Sequence, residues 1–151
     1  MLRDLVIANR SYRRFIQNKQ IDESVLRELI DLGRQSASAA NLQSLKYIIT
    51  SDPAKNADVF QCLAWAGYLQ DWGGPKEGER PSAYITVLLD KEISKNPFCD
   101  HGIAAQSILL GAAEKGIGGC IIGSVQKEML AEKLSISDRY EILLVLALGY
   151  P

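Results

Sequence analysis

Apolar positions along the chain fall into two periods. Leu2, Leu5, Val6 and Ile7 recur at helical spacing and predict a short first helix ending near Asn9. Asp22 stands as an N-cap, and Val25, Leu26, Leu29, Ile30 and Leu32 behind it predict a second helix to about Gln35. Lys46-Tyr47-Ile48-Ile49-Thr50 is β-branched and aromatic, the composition of a strand. Pro53 opens a third helix, expected through about Ala66. Ala83-Tyr84-Ile85-Thr86-Val87-Leu88-Leu89 is nearly all apolar, so this strand should be central and covered on both faces. Asp100 is expected to cap a long apolar helix from about Gly102 to Lys115, closed by Gly116 at C′. Gly118 to Gly123 is expected as a tight apolar return, Val125 to Leu134 as a helix, and Glu141 to Leu148 as the last strand.

Two stretches interrupt these periods. Ser36 to Leu45 is a run of small and amide residues. Gly67 to Pro81 carries Gly73-Gly74-Pro75, Gly78 and Trp72, and long loops of this kind are usually functional or mobile. The order ααβαβααβ contains no repeated βαβ unit. It predicts one α+β domain over residues 1–151, with a mixed or antiparallel central sheet flanked by helices. The chain stops at Gly149-Tyr150-Pro151, directly after a strand, which suggests a minimal protein or a missing C-terminal tail.

Composition narrows the function. The chain has 151 residues, 47% hydrophobic and 23% charged, enough for a core without disulfides or metal. Its 17 Lys and Arg against 18 Asp and Glu argue against a nucleic-acid footprint over the whole surface. No window approaches a membrane span, and no signal peptide is evident. Three scattered Cys form no zinc pattern and no disulfide framework, which points to the cytoplasm. A single histidine, His101, excludes a His-rich metal site and leaves little for a catalytic triad. If the chain is an enzyme, a bound cofactor would carry the chemistry.

Three segments could bind such a group. Arg10-Ser11-Tyr12-Arg13-Arg14 gathers guanidiniums and a hydroxyl suited to phosphate, although a solvated turn between helices fits its spacing equally well. Ser38-Ala39-Ala40-Asn41-Leu42-Gln43 offers two amides in a small uncharged loop; these can address a heterocycle, or form an ordinary turn. Gly116-Ile117-Gly118-Gly119 closes a helix instead of opening one, which rules out a dinucleotide fingerprint. The glycines around Cys120 still leave backbone open to a ligand. Trp72 is the better of the two tryptophans for a substrate platform.

Together these segments resemble the FMN-dependent nitroreductase family, in its short single-domain branch. Asn9-Arg10-Ser11-Tyr12-Arg13-Arg14-Phe15 resembles its R-R/H-S-x-R/K-x-F segment. Ser38 to Ser44 resembles its P-S-S-x-N-x-Q-P-W loop, with Ala37, Ser44 and Leu45 where that loop has prolines and Trp. Gly102 to Leu110, Gly116 to Gly123 and Leu146 to Pro151 resemble its central helix, its Gly-rich return and its last core strand. The resemblance implies a homodimer with FMN at the interface. Arg10 and Ser11 would hold the phosphate, and Arg13 would face the N1/O2 edge of the flavin. Ser38, Ala39, Asn41 and Gln43 would approach the flavin of the partner subunit, and Ile122 and Gly123, with Cys120 and Ile121 near them, would lie by the ring through backbone groups. NAD(P)H would be the co-substrate, and a small electron-poor acceptor, a nitroaromatic or quinone, would follow it in ping-pong order at flavin N5. The alternatives are an FMN- or nucleotide-binding protein without turnover, or another flavin reaction such as reductive dehalogenation.

Overall fold

A computed structural model describes residues 1–151. The elements are α1 (Leu2–Ala8), α2 (Glu23–Arg34), a 3-10 turn (Ala39–Asn41), β1 (Leu45–Thr50), α3 (Pro53–Gln61), β2 (Ala83–Asp90), α4 (Asp100–Glu114), β3 (Gly118–Ile122), α5 (Lys127–Leu134) and β4 (Tyr140–Gly149). The sheet order is β1-β2-β4-β3, and every neighbouring pair is antiparallel. The α+β expectation therefore holds in its antiparallel form, not the mixed one. β2 and β3 point the same way, α4 carries the chain between them, and β4 is inserted in the gap.

Period-2 patterning places side chains on two faces. Ala83, Ile85 and Val87 of β2 pack with Leu26 and Leu29 of α2 and with Ala105, Ile108 and Ala112 of α4. Tyr84 and Leu88 pack on the opposite face with Val59 of α3, Leu130 of α5 and Trp65. Every residue of β2 is buried, as its apolar run predicts. No helix is long and apolar enough to cross a membrane.

Three expectations change. α3 stops at Gln61, not Ala66. Beyond it Leu63 bridges Val125 and the Ala64 N–H donates to the Ser124 carbonyl at 3.0 Å, so pairing with the segment after β3 outcompetes the helix. Gly118 to Ile122 is an edge strand, not a tight return. Asp100 is the first residue of α4 and not its cap; Cys99 holds the cap position, without a side-chain cap bond. Gly116 closes α4 as expected, with a φ of 72° that favours glycine.

Candidate functional site

After α1 the chain runs as a strap along the outer edge of β3. Ser11 forms a parallel bridge with Gly119, and the Tyr12 N–H donates to the Gly119 carbonyl at 3.0 Å. Bare backbone permits this approach. A Cβ on Gly118 would come within 2.7 Å of the Tyr12 ring, one on Gly119 within 2.4 Å of Leu109 Cδ2, and one on Gly149 within 2.8 Å of the Phe15 ring. Gly118 and Gly149 thus seat the chain's own strap, and Gly119 seats α4 through Leu109.

The strap sorts its three arginines. Arg14 pairs with Glu79, whose carboxyl is held below its ordinary value by that guanidinium. Arg10 and Arg13 have no carboxylate partner. Arg13 Nη1 donates to the Ser11 carbonyl at 3.3 Å, and its guanidinium lies 5.5 Å from the Tyr68 ring centroid. Burial pushes the Cys120 thiol up while the charge of Arg13 opposes it, so Arg13 is within electrostatic reach of β3. Ser11, Tyr12, Arg13, Arg14, Leu69 and Trp72 wall an open cavity of about 400 Å³. The aromatic wall from the 67–81 loop was visible in sequence only as Trp72; Tyr68 and Leu69 carried no signal.

β3 alternates as a strand must. Cys120 and Ile122 bury their side chains in the core on the α3 and α5 face, which leaves their backbone as what they could offer a ring. Ile121 is 45% exposed, and nothing lies within 4 Å of where a Cβ on Gly123 would stand.

The Ser38–Gln43 loop is built around Asp100. Ser38 Oγ donates to Asp100 Oδ2 at 2.9 Å, and the Ala39 N–H donates to Oδ1 at 3.0 Å. The Gln43 N–H donates to Ser38 Oγ at 3.0 Å, and Gln43 Nε2 donates to Asn41 Oδ1 at 2.9 Å. Asn41 Nδ2 and Gln43 Oε1 remain free. Ala40, Asn41 and Gln43 have φ of 49°, 54° and 52°, a left-handed conformation that these contacts hold in place at a cost of about 1–2 kcal/mol per residue.

The nitroreductase family model matches residues 7–74 and 79–150, a range that holds the strap, the loop and β3. The chain belongs to the nitroreductase family. It is 24% identical over 176 residues to YodC of Bacillus subtilis (strain 168), named provisionally as an NAD(P)H nitroreductase, across 97% of this chain and 87% of that one. It is 26% identical over 166 residues to FMN reductase (NADPH) of the same organism, where it covers 98% of itself but 65% of that protein's length. The structure of an FMN-dependent nitroreductase from Clostridium difficile R20291 has the same fold, with a TM-score of 0.79 at 21% identity over 97% of this chain and 85% of that one.

Within one chain of this nitroreductase-family protein, the two polar clusters stand apart. The loop is anchored at Asp100, while Asn9 Nδ2, beside the strap, donates to Gln106 Oε1 at 3.4 Å. Six residues of α4 separate these anchors, about 9 Å of helix rise. Ser38 and Gln43 line a different cavity, shared with Gly33, Tyr47 and Asp100. Around α1 the surface is apolar: Leu2, Val6 and Ile7 are 68%, 47% and 53% exposed, with Phe98 and Ile103 also exposed. α1 buries no residue and packs chiefly on α4.

Proposed function

We propose that this chain is an FMN-dependent oxidoreductase. It takes hydride from NAD(P)H and passes it to an electron-poor acceptor, a nitroaromatic or a quinone, as a homodimer. One observation carries the reading. Arg10 and Arg13 stand without carboxylate partners on a strap fixed to β3, beside Ser11, with Arg13 in electrostatic reach of Cys120.

These residues suit the group. Arg10 would hold its phosphate through charge-assisted bonds, with the Ser11 hydroxyl as a neutral donor. Arg13 would set a fixed positive charge against the N1/O2 edge, where negative charge develops. Ile121 and Gly123 offer an exposed apolar side chain and bare backbone to a planar ring. The flavin, once bound, supplies the redox chemistry. That accounts for a site without a nucleophile or an acid–base pair.

The loop supports a homodimer. Asn41 Nδ2 and Gln43 Oε1 are a free donor and a free acceptor on a rigid outward turn, about 9 Å along α4 from the strap. They would serve a flavin held by the partner subunit. The exposed apolar residues of α1, with Phe98 and Ile103, would be covered in that contact. Leu69 and Trp72 would form the apolar wall on the acceptor side.

The test is turnover. Protein loaded with FMN should oxidise NADH or NADPH continuously while a quinone is present. Loaded protein that fails to turn over would replace this reading with a flavin-binding protein.

A further inference from the structure

A second cavity, of about 580 Å³, opens on the α3 side of the sheet, between α3, residues 77–82 and the start of β2. It shares no lining residue with the cavity beside Arg13. Four residues that line it carry buried side-chain atoms without hydrogen-bond partners: Asn56 Oδ1, Arg80 Nε, Ser82 Oγ and Tyr84 OH. The whole chain has seven such atoms, so more than half belong to residues that line this one cavity. Asn56, Ser82 and Tyr84 are 9%, 2% and 0% exposed. Unpaired buried polar groups cost folding free energy, and a cluster of them calls for a partner.

The surroundings hold these groups in place. Asn56 Nδ2 donates to the Ser82 carbonyl at 2.8 Å, which commits the amide and leaves Oδ1 as a lone acceptor. The Arg80 guanidinium lies over Phe60, 4.1 Å from the ring centroid, and its Nη1 pairs with Glu77 at 2.8 Å. Burial raises the pKa of Tyr84, so its hydroxyl keeps its proton and can donate. The set is therefore three donors, one of them cationic, and one acceptor. Three donors around a cation suit a carboxylate, and the acceptor suits a hydroxyl on the same molecule. Glu77, already bound to Arg80, counts against a dianion such as phosphate. A cavity of this volume falls in the range of small-molecule sites.

We propose that this cavity binds a small hydroxy-monocarboxylate, its carboxylate held by Arg80, Ser82 and Tyr84 and its hydroxyl by Asn56. The site is separate from the flavin reading and stands or falls without it.

Calorimetric titration of the full chain with sodium L-lactate and sodium 3-hydroxybutyrate tests this, with propane-1,2-diol and inorganic phosphate as controls. At least one acid should bind saturably and raise the melting temperature, and neither control should. Ser82→Ala and Tyr84→Phe should each weaken binding at least tenfold without lowering the melting temperature of the free protein, because each removes a hydroxyl that has no partner. FMN loading, measured on the same samples, should stay unchanged. Saturation by neither acid, phosphate binding as tight as either acid, or undiminished binding in both variants would each overturn the proposal.

Discussion

Arg10, Arg13 and Arg14 are chemically equivalent in the sequence, and their surroundings separate them. Arg14 is neutralised by Glu79, 65 residues further along the chain, a pairing that no local spacing reveals. Arg10 and Arg13 have no carboxylate partner, and the proposed function gives them the FMN phosphate and ring. Arg10→Ala should weaken FMN binding by about 1.5–3 kcal/mol, roughly ten- to a hundredfold, the worth of a hydrogen bond to a charged group. A fluorescence titration of FMN measures this, and an unchanged Kd would remove Arg10 from the phosphate. Arg13→Ala should leave FMN bound but shift its midpoint potential downward, since a positive charge near N1/O2 favours the reduced form. Spectroelectrochemistry reads that shift, and an unmoved potential would place Arg13 elsewhere. Cys120 and Ile122 fall in a segment that resembles a flavin-lining one; strand alternation turns both side chains into the core, so backbone is what this part of β3 could offer a ring.

At the scale of elements, the glycines of β3 had two readings in the sequence, a turn or an opening for a ligand. In the structure Gly118 lets Tyr12 lie against the strand, and Gly119 makes room for Leu109 of α4 and Leu148 of β4. A glycine-rich strand is hard to recognise because glycine has no side chain to report the alternation. Gly119→Ala should cost about 1–3 kcal/mol through overpacking against Leu109 and Leu148. Urea denaturation checks this, and wild-type stability would mean that Leu109 and Leu148 give way freely. At the far end of β2, Asp90 is fully buried and accepts from Arg139 Nε at 2.9 Å and Nη2 at 2.8 Å. The Arg139 guanidinium holds its carboxyl below the ordinary carboxylate value. A lowered folded-state pKa stabilises the fold above the unfolded value, about 3.9, and that stability is lost as pH falls through the folded value. The difference in melting temperature between wild type and Asp90→Asn should therefore be widest above about pH 5 and close as pH falls below about 4. A constant difference across that range would show that the ion pair does not set it.

For the whole molecule, the α+β class and the doubly covered β2 were legible because both follow from local periodicity. The strand order was not. β4 enters between β2 and β3 through pairings such as Ile85 with Leu146 and Cys120 with Ala147, and neither pairing leaves a local trace. The site was legible in its residue types more than in its geometry. The Ser38–Gln43 loop gains its shape from Asp100, a residue that the sequence suggested only as a helix cap. One chain presents two polar clusters on different cavities, with the apolar residues of α1 exposed beside α4. In the proposed homodimer the two clusters would meet across the interface and that surface would be covered. The most direct measurement is the visible absorbance spectrum of the purified, FMN-supplemented protein, before and after anaerobic addition of NADH or NADPH. Flavin bands that bleach with either donor are the expected result and would establish a flavin reductase. A protein that takes up no FMN, or whose flavin bands persist with both donors, would refute it.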